Sequence, residues 1–158
     1  SPHQIVRELW NSVFMVAPWK VKSLIYHAWI TLSSTLAGFV LTLALANLLQ
    51  FTLAWPIQGV AFWAENVWSL MVALRFVAGL LGGMLLPLSL FPQALGDVLV
   101  WLPFRYVFAF PVEVLSGTVS WQAWLAGCGL VLGWALLLRG VGAWVWSRGQ
   151  RVYAGAGM

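Results

Sequence analysis

Ionisable side chains are scarce enough in this chain to be taken one at a time. Asp97, Arg105 and Glu113 stand at eight-residue spacing within one proline-rich stretch. If 95–102 and 104–115 form two short helices, the turn between them can bring Arg105 against either acid. Such a group is either solvated at an interface or forms an ion pair that holds a movable element shut. Glu65 and Asn66 fall together between two apolar runs. They cap or solvate a helix junction there, or touch a cytoplasmic partner. Arg75 and Arg139 are the charged residues clearly inside apolar runs, and both lie near enough to an end to snorkel. Cys128 is the single cysteine, so an internal disulfide is excluded. Its apolar surroundings make it a packing residue.

None of these residues forms a catalytic constellation. His3 and His27, the two histidines, both lie in the N-terminal segment. There is no HExxH, no GxSxG, no paired carboxylate at helical spacing and no metal-ligand cluster. No glycine loop cradles a phosphate, so the chain holds no ATP site and no metal or cofactor of its own. The net charge of +4 is scattered and gives nucleic acid no track. With no side-chain chemistry on offer, attention moves to the backbone that positions these residues.

That backbone belongs to a membrane. The chain is 62% hydrophobic and 8% charged, where a soluble domain carries about 25% charged residues. Ser23 to Ala64 contains no Asp, Glu, Lys or Arg, and neither does Val114 to Leu138. A helical span needs roughly 20 apolar residues. The runs are continuous rather than alternating, which excludes a β-barrel. The fold expected is all-α, a polytopic helical membrane protein. Its spans lie at about 31–64, 68–91 and 121–146, preceded by an interfacial or truncated-span segment over 1–30. In that first segment Trp10, Val13, Phe14 and Ala17 follow a helical face. The first span is about 50 Å long as one helix. Ser33, Ser34 and Thr35 mark one interface, and Pro56 kinks the other end. A split into two short spans at Asn47–Gln50 is the alternative.

Residues 82–117, with 92–118 as the re-entrant part, are too apolar for a water-exposed loop and too broken for a span. Pro87, Pro92, Pro103 and Pro111 each remove a backbone donor and disfavour helix at the preceding residue. Broken backbone at membrane depth must be sheltered by protein or line a cavity. A re-entrant element is therefore expected, and such elements serve a pathway or a gate. Arg139, Arg148 and Arg151 place the C-terminus in the cytoplasm by the positive-inside rule. The broken segment then faces outward and Glu65–Asn66 inward. Trp63, Trp68, Trp144 and Trp146 form an inner belt, and Trp101, Trp121 and Trp124 an outer one. Three spans leave Lys20 and Lys22 outside, against the rule; the two-short-spans alternative removes that conflict. Gly79 with Gly83, and Gly129 with Gly133, are spaced as GxxxG, which lets helices approach closely in lipid or pair as a dimer seam.

Several motifs occur in a telling order: Gly82-Gly83 with Pro87, then Phe91-Pro92, then Leu102-Pro103-Phe104 with Tyr106, then Phe110-Pro111 and Gly117. Together they resemble the C-terminal half of an ABC-2 type permease, the membrane subunit of many bacterial ABC exporters. Ala61-Phe62-Trp63 and the tail Arg148…Arg151-Val152-Tyr153 are similar to a branch of that family carrying an AFW motif. The resemblance covers about residues 31–158. It implies a permease of a bacterial inner membrane that pairs with a second permease subunit, as a homo- or heterodimer. A separate ABC ATP-binding subunit would carry ATP and Mg. It also implies that the chain lacks the family's first spans and coupling helix, so a fragment of a longer protein is expected. The rival reading is a structural or assembly membrane protein without transport activity.

Overall fold

The computed structural model describes residues 2–15 and 24–155, and every element among them is helical. The chain divides into two units, Ser1–Gly38 and Phe39–Met158.

In the first unit, α1 (Pro2–Trp10) continues into a π-helical turn, Asn11–Met15. Ile5, Val6, Leu9 and Trp10 share one side of α1, with Gln4, Arg7 and Glu8 on the other. None of its residues is buried. A short helix so divided is amphipathic. The apolar face thus starts earlier than the spacing of Trp10, Val13 and Phe14 indicates. Ala17, Lys20 and Lys22 lie outside the described residues.

Helix α2 (Leu24–Gly59) begins in the first unit. There the Ser33 and Ser34 hydroxyls donate to the carbonyls of Ile30 and Thr31, each at 3.0 Å. Bonded within their own helix, they need no interface to satisfy them. The helix is 36 residues long, about 54 Å. It runs unbroken through Asn47–Gln50, where the Asn47 side-chain amide donates to the Leu43 carbonyl at 3.0 Å. That overturns the alternative of two short spans. Pro56 is accommodated inside the helix, although it removes the N–H that would bond the Thr52 carbonyl. A 3₁₀ turn, Val60–Phe62, follows.

The second unit adds α3 (Trp68–Leu81), α4 (Gln93–Leu99), α5 (Pro103–Val107), α6 (Ala109–Leu115) and α7 (Trp121–Gly155). Among the described residues, only α2 and α7 are long and apolar enough to cross a membrane by themselves. The helix expected over 68–91 ends at Leu81. Its 14 residues span about 21 Å. Gly83 stops it by taking φ +86, a left-handed conformation open to glycine. The amides of Met84 and Leu85 both return to the Gly79 carbonyl, at 2.9 and 3.0 Å.

The core of this unit lies where the broken segment meets the long helices. Leu49 and Leu53 of α2, Tyr106 and Val107 of α5, Phe110 of α6 and Val131 of α7 form one buried cluster. On α2 the buried residues Thr42, Ala46, Leu49 and Leu53 recur at three- and four-residue steps, one helical face. On α7 glycines let large groups approach. A Cβ on Gly127 would meet the Phe110 ring, one on Gly142 would come within 3.2 Å of Trp55, and one on Gly149 would collide with Phe62.

Candidate functional site: a proline-punctuated helical segment

Each proline of 82–117 lies at the start of a helical turn rather than in a helix interior. Pro87 precedes the 3₁₀ turn Leu88–Leu90. Pro92 caps α4, and its carbonyl accepts from the amides of Leu95 and Gly96 at 2.9 and 3.0 Å. Pro103 is the first residue of α5, behind an extended Leu102 at ψ 149, as a residue before proline prefers. Pro111 lies in the first turn of α6, where its missing N–H breaks no helical bond. The two short helices expected here are three, because Phe108 interrupts the second. Phe108 takes φ −119 and ψ −61 at that joint.

The joint is held from outside. The Ala109 amide donates to the Gly82 carbonyl at the end of α3, at 3.1 Å. Gly82 has no room for a side chain: a Cβ would sit 2.6 Å from the Phe104 carbonyl and 2.8 Å from the Phe108 ring. Tyr106 donates its hydroxyl to the Val100 carbonyl at 2.8 Å, tying α5 to the end of α4. It also meets Phe110 edge to face, with ring centroids 5.2 Å apart. Two tryptophans anchor α7: Trp134 donates to the Trp101 carbonyl at 2.8 Å, and Trp124 to the Thr42 hydroxyl at 2.9 Å.

Of the three evenly spaced charges, two meet. Arg105 Nη2 donates to both Glu113 oxygens, at 2.8 and 3.1 Å. The side chains are 24% and 31% exposed. A single nitrogen serves both oxygens, so the two-nitrogen fork of a strong guanidinium–carboxylate pair is not formed. Arg105 Nε is left buried without a partner. The Glu113 backbone is fixed by Thr118, whose amide and hydroxyl both donate to its carbonyl, at 3.2 and 3.0 Å. Gly117 makes that turn at φ +69. Asp97 is exposed on α4 and takes no part. The pair borders a cavity of about 740 Å³ that also reaches Trp101, Thr118 and Ser120.

The other candidates separate. Asn66, one residue before the N-cap Val67 of α3, accepts from the Trp68 amide at 3.0 Å, while Glu65 is exposed beside it. Gly79 is buried against the Leu85 side chain, and Gly83 is a turn residue. Gly129 and Gly133 face open space, where they line a shallow apolar groove with Leu130, Trp134 and Leu137. Arg139 sits over the Trp55 ring at 5.8 Å and Arg148 over Trp144 at 5.5 Å, near enough for cation–π attraction. Phe62 of the Ala61-Phe62-Trp63 motif packs edge to face on Trp146 at 5.0 Å. Trp63, Trp144 and Arg148 line one small cleft beside it.

Sequence reasoning missed Phe108, Ala109 and Gly127. The only local sign of the joint is an aromatic run, Phe108-Ala109-Phe110, facing a Gly-Gly pair remote in sequence.

The family model described as ABC-2 family transporter protein matches residues 5–157. That match reaches beyond the motifs of 31–158 into the N-terminal segment. No curated protein and no solved structure matches the chain. The matched family, the all-helical fold and the two long apolar helices agree: the chain belongs to the ABC-2 family of transporters, as a permease-like membrane subunit rather than an enzyme.

Proposed function

We propose that this chain is the permease subunit of an ATP-driven exporter in a bacterial inner membrane, with residues 82–117 as a re-entrant outer gate. Arg105 and Glu113 latch that gate. In this reading the C-terminus, with Arg148 and Arg151, is cytoplasmic. A second permease subunit completes the pathway, and ATP and Mg bind to a separate ATP-binding subunit that contacts the Glu65–Asn66 side.

The observation that carries the reading is the packing of Tyr106, Val107 and Phe110 against Leu49, Leu53 and Val131. The broken segment packs on the C-terminal third of α2 and the N-terminal third of α7, more than a turn inside the end of each apolar helix. Irregular backbone at that depth is tolerated where protein shelters it. Three short helices joined at Trp101–Leu102 and at Phe108 can tilt without unfolding a whole span, which a bistable gate requires. The latch suits release, since one of its donors is unsatisfied in the paired state.

Transport reconstituted in liposomes with the partner ATPase tests the proposal. Replacing Pro103 or Arg105 by Ala should impair transport more than membrane insertion. Normal transport by Arg105→Ala would remove the latch. Absence of any ATP-dependent transport or membrane-stimulated hydrolysis would favour a structural role.

A further inference from the structure

We propose that Arg75 and three amides of α2 form a binding site for an anionic phospholipid of the surrounding bilayer. This site is separate from the latch. A cavity of about 800 Å³ lies between α2 and α3, and its polar lining is Asn47, Gln50, Gln58 and Arg75. Arg75 stands midway along α3. None of the four acids of the chain lines this cavity. Glu113 is held by Arg105, and Glu65 and Asp97 are exposed elsewhere. The amides carry no charge, and Asn47 already donates to Leu43. The cavity therefore presents one positive charge and amide donors with no internal anion.

A charged side chain at the centre of a membrane helix costs about 2.5–3.5 kcal/mol. An anion brought to it offsets that cost. The walls identify the anion's body. Phe51 is 65% exposed and Phe76 60%, so the cavity opens sideways between apolar rings. A free inorganic anion gains nothing from those walls, whereas an acyl chain does. Arg75 lies about 10 Å along α3 from Trp68, less than half the hydrocarbon thickness of about 30 Å. A phosphate headgroup dipping from the interface, met by an Arg75 that extends toward it, closes that gap.

The test is photolabelling of the full chain in phosphatidylcholine nanodiscs. These carry a small fraction of either photoactivatable phosphatidylglycerol or photoactivatable phosphatidylcholine. The anionic probe should label peptides covering 47–58 and 71–85 about fivefold more than the neutral one, the preference expected of one basic contact. Arg75→Gln should bring the two probes level, and Arg75→Lys should keep most of the preference. High salt should weaken the preference in the wild type, which keeps the test decisive should Arg75→Gln fail to insert. Equal labelling of the wild type by both probes overturns the proposal. So does a preference that survives in Arg75→Gln. The readout is binding alone, so a failed transport assay leaves it intact and a failed labelling experiment leaves the latch intact.

Discussion

The Ala109 amide donates to the Gly82 carbonyl across 3.1 Å, joining the end of α3 to the joint between α5 and α6. Both groups would otherwise be orphans: one is a helix-terminal carbonyl, the other an amide at a break. In hydrocarbon each would cost several kcal/mol. One bond removes both penalties and sets where the broken segment meets the bundle. It forms only because residue 82 has no side chain.

Gly82→Ala should therefore lower stability, by about 1–3 kcal/mol, the usual cost of forcing atoms into a packed site. Its Cβ would meet the Phe104 carbonyl, which is backbone and cannot swing aside. Gly96→Ala is the control. It lies inside α4 with nothing within 4 Å of its Cβ, and alanine favours helix there by about 1 kcal/mol. Thermal unfolding in detergent should show a loss for the first variant and no loss for the second. Equal stabilities would mean that the joint relaxes freely.

Composition made the helical membrane fold legible, and Pro87, Pro92 and Pro103 marked where three of the short helical elements begin. What the sequence hid was which glycines matter. Gly129 and Gly133 carry the GxxxG spacing yet face open space, whereas Gly127, Gly142 and Gly149 receive Phe110, Trp55 and Phe62. Gly127 and Gly129 sit two residues apart, on opposite sides of α7. Local spacing cannot say which side a remote aromatic will occupy. The end of α3 was legible in Gly82-Gly83, but an apolar run continuing to Leu90 disguised it. The eight-residue charge spacing left Asp97 and Glu113 equivalent as partners. The choice of Glu113 depends on the break at Phe108, which no local residue type announces.

The notch at Gly127 gives a second prediction. Gly127→Ala places a methyl in the Phe110 ring, and should cost about 1–3 kcal/mol as overpacking. Phe110→Leu alone should also destabilise, by opening a cavity. Combined, the two should be less harmful than their sum, because each change supplies the space the other disturbs. A double-mutant cycle on melting in detergent checks this. Gly133→Ala, on the open face, should melt no lower than the wild type unless another chain covers that face.

Tyr106 offers a smaller test. Tyr106→Phe keeps the ring contact with Phe110 and removes only the hydroxyl bond to Val100. The loss should be about 0.6–1 kcal/mol, the usual worth of such a bond in a membrane bundle. Hydrogen exchange of the α4–α5 junction should accelerate even if global melting barely moves. Unchanged exchange there would mean that α4 is held by packing alone.

The Arg105–Glu113 pair separates holding from moving. Glu113→Gln leaves a guanidinium that has already lost one partner at Nε, in a largely buried place. The cost should be about 1–3 kcal/mol, the penalty for orphaning a charged hydrogen-bonding group. Arg105→Met with Glu113→Leu removes both charges and fills similar volume, so it should recover most of that stability. The two outcomes then diverge in function. If the pair only braces the fold, the apolar double variant should transport as the wild type does. If it is a latch, that variant should be stable yet poorly coupled, because apolar packing replaces a contact that must break and re-form. Melting temperature and ATP-dependent transport measured on the same preparations decide between them.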